Sequence, residues 1–163
     1  MIHPKNHMKA SLTYRKATIQ DLGKVIDLLR EDELGKAREG LSEKLNQCYI
    51  DAFYTIHNDP NQYLMVALLN LEIVGTAHLT IIPSLTFRGS TRMQIEGIRI
   101  LEKHRGQGFG RWMLNAAIDY GKQHNASIIQ LTTNKKRLKS TEFYEKLGFQ
   151  STHHGMKLYL PPS

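Results

Sequence analysis

Arg105-Gly106-Gln107-Gly108-Phe109-Gly110-Arg111 is the stretch of this chain whose residue types and spacing can do chemistry. Glycines at 106, 108 and 110 let a backbone turn tightly and approach a ligand, because no Cβ stands in the way. An apolar run, residues 94–101, arrives before the loop, and an amphipathic pattern, residues 111–124, leaves after it. Strand, glycine-rich turn and helix start together make an anion cradle. The first N–H groups of the helix have no intrahelical acceptor and carry partial positive charge, so a phosphate or pyrophosphate is the natural occupant. The loop ends Gly110-Arg111-Trp112 and so lacks the Lys-Ser/Thr of a P-loop. Arg111 also stands where a dinucleotide fingerprint needs its third glycine. Glycine-rich turns between strands and helices are common, so alone this one favours a nucleotide site only modestly.

The elements that must position the loop follow from periodicity. Residues 12–15 form a short strand candidate. Thr18-x-x-Asp21 has the form of a capping box, and Leu22, Val25, Ile26 and Leu29 follow at the helical period. The charged stretch 31–40, with two glycines, is expected to be a mobile connection, and residues 1–10 a loose leader. A second helix then carries Leu41, Leu45, Cys48, Tyr49, Ala52, Phe53 and Ile56 on one face, which makes Cys48 a buried, inert thiol. Past a turn at 57–61, strands at 63–69 and 73–82 are joined at Asn70-Leu71-Glu72 like a hairpin. Their nearly continuous apolar runs imply cover on both faces.

After a polar excursion at 83–92, the strand 93–101 leads into the loop. Gly97 inside it marks a bulge, which would splay this strand from its neighbour and open a cleft. Phe109, Trp112, Met113, Ala116, Ala117 and Tyr120 give the next helix a core-packing face. A buried strand is expected at 127–133. A last helix holding Phe143, Tyr144 and Leu147 stops at Gly148, a left-handed cap. Closing strands are expected at 149–152 and 156–160. Consecutive strands in the middle of an alternating chain predict an α/β or α+β mixed sheet, not a doubly wound parallel one.

The 163 residues are expected to form one domain with a real core. No apolar run is long enough to span a membrane. One cysteine excludes an intrachain disulfide framework and suits a reducing cytoplasm. The net charge of +7 suits a polyanion, either a phosphorylated cofactor or nucleic acid. The aromatics mostly occupy apolar helical faces, leaving no aromatic-basic stripe for stacking bases, so specific nucleic-acid binding is not expected. The eight histidines show no helical ligand spacing, and no metal site is expected.

Three stretches in order carry a family resemblance: Ile95-Glu96-Gly97-Ile98-Arg99-Ile100, Arg105-x-x-Gly108-x-Gly110, and Phe143-Tyr144-Glu145-Lys146-Leu147-Gly148-Phe149. Together they resemble the GNAT superfamily of N-acetyltransferases, over almost the whole chain from residue 12 to 160. Arg137 stands where the commonest family version has asparagine. The form Thr132-Thr133-Asn134 is similar to a bacterial small-molecule branch that includes aminoalkylphosphonate N-acetyltransferases.

The resemblance implies a mostly antiparallel mixed sheet with a splayed central strand and helices on both faces. It also implies acetyl-CoA as co-substrate and a single acetyltransferase domain over residues 1–163. Backbone N–H groups of Ile98, Arg99 and Ile100 would hold the acetyl group and pantetheine arm. Arg105, Gly106, Gln107, Gly108, Phe109, Gly110 and Arg111 would take the pyrophosphate, with Asn134 a further cofactor contact and Lys135, Lys136 or Lys139 near another phosphate. Glu96 is the general-base candidate, directly or through water, or else a ligand for the substrate ammonium. A carboxylate of ordinary pKa, about 4.3, is a poor base, so partial desolvation is expected there. Tyr144 would protonate the departing thiolate.

A small primary amine is the leading acceptor. A protein lysine or N-terminus, and a non-catalytic acyl-CoA-binding role, are the alternatives. Dimers are frequent in the family, which allows a homodimer.

Overall fold

The computed structural model describes residues 11–31, 35–36, 46–135 and 137–161. The expected leader, Leu41, Leu45, Lys136 and most of the expected connection lie outside these residues. The chain divides into two compact units, Met1–Gln130 and Leu131–Ser163.

The first unit is built on a sheet of order β1-β2-β3-β4-β5. Its strands are β1 (Leu12–Lys16), β2 (Gln62–Leu69), β3 (Glu72–Ile82), β4 (Thr91–Ile100) and β5 (Ala126–Leu131). β1 to β4 pair antiparallel in sequence order. The β2–β3 hairpin closes on Asn70 and Leu71, both at positive φ, 49° and 73°. Two such residues give a turn whose twist matches the flanking strands. Ser11 donates its N–H to the Asn70 side chain at 3.2 Å, which ties the turn to the start of β1.

Alternation along β2 sends its side chains to opposite faces, and both are covered. Leu64, Val66 and Leu68 pack with Leu22, Val25 and Ile26 of α1 (Leu22–Arg30) and Phe53 of α2 (Gln47–Asn58). The other face meets α3 (Phe109–Gln123), where the Tyr63 and Tyr120 rings lie 4.5 Å apart and Tyr14 meets Trp112 edge-on. The expected helices on both faces, around a mostly antiparallel mixed sheet, are present. β5 is half-buried along most of its length, not buried as its apolar run suggested.

The Thr18–Asp21 box forms as expected. It caps a short 3-10 turn, Ile19–Asp21, that runs directly into α1, and Thr18 N–H donates to Asp21 at 2.7 Å. Asp21 also accepts two bonds from Arg15, at 2.6 and 3.0 Å. The guanidinium beside it holds the Asp21 carboxyl down at about 2, from an ordinary 3.8, with the Thr18 bonds helping and burial opposing. A carboxylate depressed by folding stabilises the fold above its unfolded pKa and loses that effect as pH falls through its folded one. Asp21→Asn is therefore expected to cost about 1–2 kcal/mol at pH 7. That difference should be full above roughly pH 5 and vanish as pH falls towards 2. Urea titrations of both proteins across this range check it.

Cys48 is exposed, contrary to the expectation of a buried thiol. α2 begins only at Gln47, and its inward stripe is Tyr49, Phe53 and Ile56, which leaves Cys48 in the first turn on the outer side.

In the second unit, α4 (Leu138–Glu145) ends as the sequence predicts. Gly148 has φ 93°, its N–H donates to Glu145 O, and Phe149 N–H reaches back to Tyr144 O. That bond pair is the Schellman closure, which needs a left-handed residue at this position. The closing strands do not form: residues 149–161 adopt no strand, and Met156, Leu158, Tyr159 and Leu160 are strongly exposed. Apolar and β-favouring residues record fitness for a sheet, but a strand exists only where a partner completes its hydrogen bonds.

Candidate active site

The cradle is built where β4 runs into α3. After Ile100 the chain makes a 3-10 turn, Glu102–His104, and reaches Gly106 and Gly108 at φ 74° and 87°. Gly108 caps α3, and the first intrahelical bond is Trp112 N–H to Gly108 O at 3.0 Å. The N–H groups of Phe109, Gly110 and Arg111 precede it and have no intrahelical acceptor. A Cβ at Gly106 or Gly108 would meet nothing within 4 Å, so the loop borders open space. Unsatisfied N–H groups at the positive end of a helix dipole, beside open space, fit a diphosphate. Gly110 is not among the positive-φ residues, so its value lies in a bare surface in the first turn.

Arg105, a pyrophosphate candidate, has its side chain engaged within the protein. Its Nε donates to Ile100 O at 3.0 Å and its Nη2 to Glu31 at 2.7 Å, and Glu31 also accepts from Glu102 N–H. The side chain thus fastens the loop to the residue that follows α1. Gln107 is exposed and bonds within its own turn, donating to Lys103 O at 2.8 Å. Arg111 is exposed, and Phe109 stacks on His104 with ring centroids 5.1 Å apart.

Upstream in β4, the bulge expected at Gly97 is present. His78 pairs with Glu96 and Thr76 with Arg99, so Ala77 alone faces Gly97 and Ile98. Gly97 has φ 60°, the left-handed conformation that such a bulge requires of its first residue. The side-chain bonds from β5, Ser127 to Thr91 and Gln130 to Gln94, reach β4 before this point. Ile98 and Arg99 are half-buried and Ile100 is buried, between the bulge and the loop.

Glu96 and His78 are direct cross-strand partners and therefore share a face. Both line a cavity of about 180 Å³ between α1, α2 and the sheet, together with Gly97, Leu29, Tyr49 and Phe53. Glu96 itself is exposed, so the partial desolvation expected of it is not built into this state.

Sequence reading missed His78, weighing it only as a metal ligand. Its Nε2 lies 2.7 Å from Gln62 Oε1, and Gln62 donates its own amide to Asp59 at 3.2 Å. Asp59 fixes the amide, so His78 Nε2 is the donor and Nδ1 keeps its lone pair. Burial pushes the His78 pKa below its ordinary value, with the charge of Glu96 opposing. A neutral imidazole beside a carboxylate is a proton acceptor suited to neutral pH. The alternation in β3 placed His78 on a face, but only the ladder register put it opposite Glu96.

Asn134 and Tyr144 belong to the second unit. The Asn134 carbonyl accepts from Arg137 N–H at 2.8 Å just before α4. Tyr144 lies in the last turn of α4, edge-on to Phe143 and Phe149 at 5.3 and 5.9 Å. Lys135 and Lys139 are exposed. Among the described residues no three His, Cys, Asp or Glu side chains gather as a metal site would require, and no helix is long and apolar enough to cross a membrane.

A bulged strand, a glycine loop on a helix N-terminus and a mostly antiparallel sheet are the frame that the sequence resemblance implies. The chain belongs to the GNAT family of acetyltransferases, whose family model matches residues 24–149. It is 30% identical over 140 residues to the aminoalkylphosphonate N-acetyltransferase of Salmonella typhimurium, covering 85% of both chains. The crystal structure of a transcriptional regulator from Bacillus halodurans C-125 is 41% identical, with a TM-score of 0.88 over 92% of this chain and 100% of that one. An acetyltransferase of Trypanosoma brucei is 25% identical, with a TM-score of 0.73 over 92% and 100%. This chain is an N-acetyltransferase of a family that uses acetyl-CoA.

Proposed function

We propose that the protein transfers the acetyl group of acetyl-CoA to the primary amine of a small molecule, by direct attack of the amine in a ternary complex. The observation that carries this reading is the cavity at Glu96 and His78, on the strand that runs on into the diphosphate cradle. At about 180 Å³ it suits a small molecule.

Acetyl-CoA supplies an activated thioester, so no nucleophilic side chain is required. The N–H groups of residues 109–111 hold the diphosphate, and Gly106 and Gly108 keep the approach clear. Backbone N–H groups of residues 98–100 orient the acetyl carbonyl and stabilise negative charge on its oxygen. Glu96, with His78 beside it, removes the ammonium proton, since only the free amine has a lone pair to form the N–C bond. The exposed Glu96 carboxylate is desolvated by the bound substrates. Tyr144 donates a hydrogen bond to the sulfur as the C–S bond breaks and the electron pair leaves with it, and the second proton shed by the acylated nitrogen ends on that thiolate to give the free thiol. The test is a panel of primary amines followed by thiol release. Failure of every amine to release thiol above the acetyl-CoA hydrolysis rate would sink the reading.

Tyr144→Phe removes one oxygen and keeps the ring contacts with Phe143 and Phe149. A phenol of pKa about 10 helps a thiolate, whose thiol lies near 8.5, by hydrogen bonding as charge develops. Such help arises in the transition state, so kcat is expected to fall about ten- to a hundredfold while acetyl-CoA affinity barely moves. Equal kcat values in steady-state assays would remove Tyr144 from the mechanism.

A further inference from the structure

Resting on the acetyltransferase reading, we infer that the acceptor is a primary amine carried on a compact apolar body, alkyl or aryl, and not on an anionic group. The cavity walls decide this. α1 contributes Leu22, Val25, Ile26 and Leu29, one stripe at helical spacing. α2 answers with Tyr49, Ala52, Phe53 and Ile56, and Leu64 lies in the sheet between them. Thr76 also lines the space, but its hydroxyl donates to Met65 O at 3.0 Å. The remaining polar groups are the Tyr49 hydroxyl, His78 and Glu96, and Glu96 is the one acid among them.

Among the described residues no lysine or arginine lines the cavity. Arg30, next along α1, has its guanidinium over the Tyr49 ring, 6.0 Å from the centroid, and is not part of the lining. A phosphonate or sugar phosphate placed here would lose its hydration against apolar walls and face the carboxylate of Glu96. An apolar amine matches both ends. Its carbon body is buried between the helices, and its ammonium meets Glu96 and the imidazole that Gln62 orients. The size also fits, since a cavity of about 150 Å³ is enough for a benzene ring. This chain therefore departs in acceptor chemistry from the aminoalkylphosphonate relative that it resembles in sequence.

The experiment measures kcat/KM for the full chain with acetyl-CoA and n-alkylamines of increasing length, phenylethylamine and aminoethylphosphonate. Calorimetry of phenylethylamine without acetyl-CoA runs in parallel. Each buried methylene is expected to raise kcat/KM about fourfold until the cavity is full, near six carbons. Phenylethylamine should exceed aminoethylphosphonate at least about a hundredfold. Ala52 is exposed on α2, so Ala52→Arg should fold. It places a cation at the rim, and should lower phenylethylamine kcat/KM about tenfold or more and raise that of aminoethylphosphonate, with acetyl-CoA affinity unchanged.

A flat alkyl series, or a parent protein that prefers the phosphonate, would overturn the inference while leaving acetyl transfer standing. Calorimetric binding of phenylethylamine that Ala52→Arg abolishes, without turnover of any amine, would support the cavity assignment and fail the acetyltransferase reading instead. Neither binding nor turnover would overturn both.

Discussion

Gly108→Val is expected to weaken acetyl-CoA binding by about a hundredfold or more. Two effects act together. Gly108 sits at φ 87° and ψ −6°, a conformation that a β-branched residue resists at a cost of about 1–3 kcal/mol. If the cap relaxes to relieve that strain, the N–H groups of residues 109–111 swing away from a common focus. If the cap holds, the isopropyl group occupies the open space through which a diphosphate must approach. Gly110→Val meets only the second effect, since Gly110 is not in the left-handed region, and its loss should be nearer tenfold. Calorimetric titration with acetyl-CoA, with circular dichroism as the fold control, separates the two. Parental affinity in a folded Gly108→Val protein would put the cradle elsewhere.

Glu96→Gln should lower kcat at neutral pH by about 10²- to 10⁴-fold if the carboxylate takes the ammonium proton. The deficit should shrink as pH rises, because free amine then becomes abundant without a base. The exposure of Glu96 sharpens the test. A carboxylate that only binds the ammonium would show raised KM with unchanged kcat. His78 supplies the comparison, as its burial holds it neutral near physiological pH and its ring faces Glu96 across the ladder. A large kcat loss in His78→Gln with a small one in Glu96→Gln would move the base from β4 to β3. Full pH profiles of kcat and kcat/KM for parent and both variants give the answer.

Much of the cradle was legible in the sequence because it depends on what single residues allow their own backbone to do. Gly97 at φ 60°, Gly108 at φ 87° and Gly148 at φ 93° stand where the pattern required bulge, tight turn and helix stop. The Thr18–Asp21 box is equally local, three residues reaching across one turn. Strand and helix periods survived for the same reason: each face is set by neighbours two, three or four positions away.

What the sequence left open depends on distant partners. Nothing near Arg105 in the sequence names Glu31, 74 residues earlier, as the partner of its guanidinium. Cys48 reads as core until α2 starts one residue before it and turns Phe53 inward. The apolar residues of 156–160 read as a strand, yet a strand's hydrogen bonds belong half to its neighbour. The acceptor cavity is the strongest case. Its walls come from α1 and α2, its floor from β2, and its polar end from β3 and β4. His78 faces Glu96 because the β3–β4 ladder keeps one register from the Ile82–Arg92 pair down to theirs, and shifts only beyond it, at Gly97. Sequence determines the backbone options of each residue, whereas only the packed chain brings together groups that share no local constraint, and acceptor chemistry lies in that second class.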